Sequence, residues 1–236
     1  INVKSVSINT TEDLTFLQNF DKLERLTVSA FDFDFTEIAK LKTLKDLNIY
    51  TNNKNLQIDY SPLSALTTLE EIDITDRYFG AEIDVELFLN NTNLTKVDLE
   101  GNVINADKLK NLDKIDTIYI TAKSNLSDIS FMKDMPNLKD VSLYDNKIRD
   151  ISPLKDLVKL ERVYLCKNPI NTEEEKNKQT ITALLNRYVT LDIDEYEETD
   201  IIEFNDNVLK TYLIEDGYDI DKDGEISTGE MGKIEY

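Results

Sequence analysis

The 236 residues contain no histidine and no tryptophan, and a single cysteine, Cys166. Without histidine and with one thiol, the chain cannot build metal centres on His or Cys, nor Ser-His-Asp or Cys-His nucleophile systems. One cysteine also excludes an internal disulfide, which fits the cytosol and equally a secreted bacterial protein stabilised by other means. Positive charge is scarce: 27 basic residues stand against 47 acidic ones, a net charge of −20. That balance argues against nucleic acid, whose phosphates need Lys and Arg, and against an anionic membrane surface. No run approaches the 18 apolar residues of a membrane span. The sequence starts at Ile1 rather than Met and shows no signal-peptide pattern, so the expectation is a processed product or an excised fragment.

What is present is globular. Hydrophobic residues make up 40% and charged residues 31%, enough to bury a core as one elongated domain or two compact ones. The acidity is uneven: from Thr172 onward there are 19 acidic and 6 basic residues. A short, strongly acidic tail suits a divalent cation better than a protein core.

A repeat emerges from spacing. The stretches NLKDVSLYDNKI (Asn137 to Ile148) and KLERVYLCKNPI (Lys159 to Ile170) share the form L-x-x-L-x-L-x-x-N-x-I, 22 residues apart. The leading apolar residues of the frame are Leu23, Leu44, Leu69, Leu94, Ile115, Leu138 and Leu160, at intervals of 21 to 25. Second and third apolar positions follow each time, from Leu26 and Val28 through to Val163 and Leu165, and Val3, Val6 and Ile8 form a partial first copy. Each L-x-L core reads as a strand with apolar side chains inward, because side chains alternate along a strand. One repeat cannot bury its hydrophobic edge alone, so neighbours must stack. Asn102, Asn146 and Asn168 fall where the chain leaves the strand, where a buried amide can satisfy unpaired backbone groups. In DISPLKDL and DYSPLSAL, Pro153 and Pro62 stand where proline opens a helical turn without losing a needed hydrogen bond.

This pattern resembles the leucine-rich repeat, and IRDISPLKDLVKLERVYLCKNPI is similar to repeats of the internalin-like bacterial surface proteins. The resemblance covers Val3 to about Ile170. It implies an α/β solenoid of about eight parallel strands and a secreted or surface-displayed bacterial protein that binds other proteins. The asparagine position is Asn52 in one other repeat, and departures occur at Phe31, Arg77 and Lys123.

After Ile170 the frame breaks. Thr172 to Glu175 reads as a capping box opening a helix to about Asn186, with Ile181, Leu184 and Leu185 inward, closing the solenoid. Cys166 lies just under this cap, as a small, partly buried thiol whose pKa acidic surroundings raise.

Residues between the inward positions form three outward columns on the concave sheet. They run Ser5, Arg25, Asp46, Glu71, Lys96, Thr117, Asp140, Arg162; then Ser7, Thr27, Asn48, Asp73, Asp98, Tyr119, Ser142, Tyr164; then Asn9, Ser29, Tyr50, Thr75, Glu100, Thr121, Tyr144, Cys166. With strands about 4.8 Å apart this face is roughly 35 Å long. The candidate binding residues are Tyr119, Tyr144 and Tyr164, expected to face solvent, with Tyr50, Asp73 and Asp98 beside them. Tyrosine is favoured at binding hot spots, though exposed tyrosine is also common on sheets. Asp73 and Asp98 are neighbours able to shift each other's pKa, but an open sheet neither forms a closed pocket nor excludes water, so no enzyme activity is expected.

DIDKDGEISTGE (Asp219 to Glu230) matches the twelve-residue EF-hand loop. Asp219, Asp221, Asp223, Glu225 through its carbonyl, Ser227 and Glu230 supply hard oxygen ligands at positions 1, 3, 5, 7, 9 and 12; Gly224 permits the bend, and calcium is the implied cofactor. Ile226 is the apolar anchor, and NDNVLKTYLIE (Asn205 to Glu215) reads as an entering helix with Val208, Leu209, Tyr212 and Leu213 as its apolar positions. The module resembles single EF-hand caps on bacterial leucine-rich repeat arrays, and half of a dockerin. Only Met231 and Ile234 remain to anchor a departing helix, and INVKSVSI enters the frame uncapped. Both ends therefore read as cut from a longer polypeptide in which such a module seals each array.

The expected organisation is a repeat array over 1–170, a helical cap over 171–198 and an EF-hand module over 199–236. The expected function is recognition of a protein ligand on the concave face, with a structural calcium site and no direct membrane insertion. The alternatives are a non-binding spacer and an assembly module docking through the dockerin-like segment.

Overall fold

In the computed structural model, which describes residues 2–9, 13–30, 34–51, 58–77, 81–122, 124–194, 207–215 and 226, the apolar frame is the core. All seven leading residues are buried, none more than 5% exposed, and so are the two apolar positions that follow each of them. The strands are β1 Ser5–Ile8, β2 Arg25–Ala30, β3 Asp46–Thr51, β4 Glu71–Asp76, β5 Glu82–Asp84, β6 Lys96–Glu100, β7 Asn102–Ile104, β8 Thr117–Thr121, β9 Asp140–Ser142, β10 Arg162–Tyr164 and β11 Thr190–Asp192. Nine of them form one parallel sheet in chain order, while β5 and β7 pair separately. Parallel neighbours need a crossover, and here each crossover from β1 to β10 contains a short 3-10 turn. Two of these turns, Ser61–Ala65 and Ser152–Leu154, carry proline in the opening positions, as the sequence indicates.

Two devices hold the turns in register. The first is a row of aspartates, one before every turn except Ala106–Asn111. Asp13, Asp34, Asp59, Asp128 and Asp150 accept a hydrogen bond from the amide two residues on, at 2.8 Å, and Asp84 does so at 2.9 Å. The second is a buried amide ladder. Asn146 donates to the Ile120 carbonyl (2.7 Å) and accepts from the Leu126 amide (3.0 Å); Asn168 donates to the Leu143 and Leu165 carbonyls (2.7 and 2.8 Å) and accepts from the Ile148 amide (3.0 Å). Asn102 does not share this role. It lies half-buried in β7, and the buried Ser124 hydroxyl bonds the Gly101 carbonyl (2.7 Å) instead.

The cap corrects three expectations. The sheet has nine strands rather than about eight, because the chain returns after the cap helix and β11 pairs with β10. An open β10 edge would leave its backbone groups unpaired; the Thr190 amide instead bonds the Glu161 carbonyl (2.8 Å) and the Leu165 amide bonds the Asp192 carbonyl (2.7 Å). Helix α1 spans Glu175–Asn186, and its lead-in is held by Asn171, which accepts from the amides of Glu173 and Glu174, rather than by a Thr172 capping box. Finally, Leu184 points inward as expected and Ile181 is half-buried, but Leu185 is 54% exposed. The inward line is Asn177, Thr180 and Leu184. The helix is rotated so that Asn177 extends the amide ladder, donating to the Arg149 carbonyl (2.8 Å) and accepting from the Ile151 amide (3.1 Å).

Helix α2 covers Asn207–Glu215. Of its apolar positions Leu213 is buried, whereas Leu209 and Tyr212 are exposed, against the expectation of one continuous apolar face. Ile226, the anchor position of the calcium loop, is fully buried. The six proposed calcium ligands, Asp219, Asp221, Asp223, Glu225, Ser227 and Glu230, lie outside the described residues, as do Met231 and Ile234.

Candidate functional site

The register of the sheet reproduces the outward columns read from the sequence. The first runs Ser5, Arg25, Asp46, Glu71, Lys96, Thr117, Asp140, Arg162, and gains Thr190. The second runs Ser7, Thr27, Asn48, Asp73, Asp98, Tyr119, Ser142, Tyr164, and gains Asp192. The third is paired from Ser29 through Tyr50, Thr75 and Glu100 to Thr121. It continues past the strand ends, where the Ala122 amide bonds the Tyr144 carbonyl and the Asp145 amide bonds the Cys166 carbonyl. With nine strands the face is about 38 Å long.

Three consecutive repeats end the third column alike. Ala122, Asp145 and Lys167 have φ of 53°, 57° and 60°, the left-handed region that non-glycine residues enter at a cost of roughly 1 kcal/mol. The bend turns the chain off the sheet directly after Thr121, Tyr144 and Cys166, leaving Tyr144 as an outermost side chain, 39% exposed.

The face divides into two halves. Over β3, β4 and β6 carboxylates crowd. Asp73 and Asp98 are registered neighbours, and Tyr50, 37% exposed, donates its hydroxyl to Asp73 at 2.9 Å. Burial, then the charge of Asp73, pushes the Asp98 carboxyl up to about 6, although Lys96 lies 3.5 Å from it. Asp73 and Asp46 are raised as well, chiefly by burial. Burial and the bond to Asp73 push the Tyr50 hydroxyl up to about 12.

Over β8, β9 and β10 the face is aromatic. Tyr119 and Tyr164 flank Ser142 in one column, and Tyr144 lies two residues along β9's path from Ser142. The small Ser142 separates the two larger rings of its column. Tyr119 and Tyr164 are half-buried rather than facing solvent freely, which corrects the sequence expectation. Lys96 Nζ sits 5.5 Å from the Tyr119 ring centroid, and Lys167 Nζ 5.6 Å from that of Tyr144. Arg162 Nη2 pairs with Asp140 Oδ2 at 2.5 Å, and Asp140 is only 8% exposed. Its Oδ1 is buried without a hydrogen-bond partner. Lys96 and Arg162 stand in the first column of the sequence pattern, which assigns them no role, and Lys167 stands outside the three columns; the adjacency of Asp140 and Arg162, 22 residues apart in one column, was the available signal. Cys166 Sγ lies 3.1 Å from Asp192 Oδ1, and burial together with that carboxylate pushes the thiol up to about 12, an unreactive cysteine.

The sheet, then, brings Tyr50, Asp73 and Asp98 together as one group and Tyr119, Tyr144 and Tyr164 as another. A cavity of about 450 Å³ lies elsewhere, against α1, lined by residues including Lys155, Glu175, Gln179 and Thr182. Among the described residues no helix is long and apolar enough to cross a membrane, and no group of three or more acidic or cysteine side chains is placed to hold a metal ion.

No protein-family model matches the sequence, and no curated protein does either. Solved structures do match. An internalin (inlF) from Listeria monocytogenes is 28% identical with a TM-score of 0.63, over 79% of this chain and 54% of that one. An internalin C2 from the same organism is 20% identical with a TM-score of 0.56, over 81% and 80%. A leucine-rich repeat protein of Leptospira interrogans is 21% identical with a TM-score of 0.54, over 75% and 44%. The fold is therefore the internalin-like leucine-rich repeat, and this chain spans about half the length of the first of these proteins.

Proposed function

We propose that this chain is a non-enzymatic, secreted or cell-surface bacterial protein that binds a protein partner on the outward face of its sheet. The observation that carries the reading is the pairing of Asp73 with Asp98. Carboxylates raised by burial, and in Asp98 also by the charge of Asp73, cost the folded state free energy at neutral pH, and such shifts concentrate at functional sites. Their alignment with an aromatic cluster on one face supports a recognition surface, since tyrosine and arginine are enriched at binding hot spots. An open face that admits water everywhere suits binding rather than catalysis. The likeness to internalins supports a bacterial surface or secreted setting.

Calcium belongs to the same proposal. Asp219, Asp221, Asp223, Glu225, Ser227 and Glu230 would hold it, the bidentate carboxylate of Glu230 completing the shell; the burial of Ile226 fits its place as the loop's anchor. The ion would order the segment 199–236 beyond the repeat array (1–170) and its cap (171–198). Calorimetry tests the ion: calcium-dependent heat is expected, lost in Glu230→Gln, and no heat in the intact protein rejects the assignment. Capture from cell-surface extracts tests the face. Alanine at Tyr119, Tyr144 and Tyr164 together is expected to abolish capture, and undiminished capture moves the site off the sheet.

A further inference from the structure

The two halves of the face differ in a way that specifies the partner. Over β3, β4 and β6 the outward side chains include Asp46, Glu71, Asp73, Asp98 and Glu100 against the single Lys96. Over β8, β9 and β10 there is one acid, Asp140, and it is already paired with Arg162; the other outward side chains are uncharged and include Tyr119, Tyr164, Ser142, Thr117 and Thr121, with Tyr144 beyond β9. Building on the reading of this face as a protein-binding surface, we propose that its partner is a polypeptide segment of split character. It presents lysine or arginine where it crosses β3, β4 and β6, and aliphatic or aromatic side chains where it reaches the three tyrosines.

Charge complementarity decides the first half. Covering those carboxylates with a neutral or acidic segment would strip them of water without a counter-charge, a desolvation cost that nothing repays. Only cations offset that cost. The second half is neutral and aromatic, so apolar area is what it can bury with gain. From β3 to β10 the six strands span about 24 Å, the length of a helix of about 16 residues.

The contact is also gated by protons. Asp98 is faced by Glu71 and Asp73 from β4 and by Tyr119 from β8, with Lys96 and Glu100 on its own strand and Asp46 and Tyr50 beyond on β3. As pH falls through about 6 this group takes up a proton, and the partner's cations lose part of their counter-charge.

Two synthetic helical peptides of about 16 residues test the inference. One carries lysines in its first half and leucines in its second; the other has glutamates in place of the lysines. Titrations by calorimetry and NMR at physiological salt are expected to show binding of the lysine peptide at least about ten-fold tighter than the glutamate peptide. The double variant Asp73→Asn, Asp98→Asn should lose about that factor, while Asp107→Asn, an exposed carboxylate off this face, should not. Lowering the pH to about 5 should weaken the lysine peptide for the native chain and leave the double variant unchanged. Equal affinity of the two peptides, no detectable binding of the lysine peptide, or an unaffected double variant overturns the inference. Failure here is separable from failure of the protein-binding reading. A captured partner sensitive to the tyrosines but indifferent to Asp73 and Asp98 sinks only the split-charge partner; a partner indifferent to the tyrosines sinks the reading beneath it.

Discussion

The flank of turns and the face of the sheet are built from the same acidic residue and treat it in opposite ways. On the flank, Asp13, Asp34, Asp59 and Asp128 each receive the amide and hydroxyl of the residue two positions on, and their carboxyls are held below the usual value. The amide is the larger cause for Asp13 and Asp128, the hydroxyl for Asp34 and Asp59. On the face, Asp46, Asp73 and Asp98 sit partly desolvated in stacked rows, and their carboxyls are raised. Hydrogen bonds that favour the charged form stabilise the fold, whereas burial beside like charge works against it. The lesson is that a repeat gives both flanks identical neighbours, so a stacked carboxylate is harmless only where each copy has its own donors. Where donors do not offset burial, the raised carboxyls stay costly in the folded state, and a partner has something to relieve.

The sharpest way to break this comparison is to remove a flank donor that is buried. Asn168→Ala leaves the Leu143 and Leu165 carbonyls and the Ile148 amide without their side-chain partner. At about 1–3 kcal/mol per unsatisfied buried group, a loss of roughly 3 kcal/mol or more is expected in urea unfolding. A change within 0.5 kcal/mol would mean that water replaces the amide.

A gain is expected from the face. Asp73→Asn with Asp98→Asn should stabilise the protein at neutral pH by on the order of 1 kcal/mol, after discounting for solvent screening. Destabilisation would show that the Tyr50–Asp73 bond outweighs the crowding.

The two carboxylate sets also predict a stability optimum in mild acid. Asp98 has a folded pKa of about 6, above the unfolded value of about 3.9. Over that interval the folded state binds more protons, so stability rises as pH falls from 7 towards 4. The flank carboxylates have folded values below the unfolded one, so their contribution is present above about pH 4 and is lost as pH falls through the folded values. Thermal unfolding from pH 7 to 3 should pass through a maximum between about 4 and 6, and the rise on acidification should shrink in the double asparagine variant. A monotonic decline from neutrality would contradict the raised carboxyls.

The smallest effect belongs to the aromatic half. Tyr144→Ala should change stability by less than about 0.5 kcal/mol, as exposed positions do, while Tyr119→Ala should cost about 1 kcal/mol because that ring is half-buried under Lys96. Equal values for the two would remove the distinction between them.

Much of this molecule is readable without coordinates. Strict alternation and the recurring leading residue determine the strands, the core and the three outward columns, because a side-chain period of two leaves no freedom once the inward residues are known. The chemistry of the face follows: Tyr50, Asp73 and Asp98 in one group, Tyr119, Tyr144 and Tyr164 in another. The tertiary structure alone decided what depends on distance across repeats. Asn171 rather than Thr172 leads into α1, Asn177 rotates that helix and exposes Leu185, and Thr190–Asp192 closes the β10 edge. Lys96 leans on the Tyr119 ring, and Asp140 sinks beneath Arg162. The place of Asn177 hinges on buried backbone groups 26 and 28 residues away in sequence, and no local pattern encodes which side chain will reach them first.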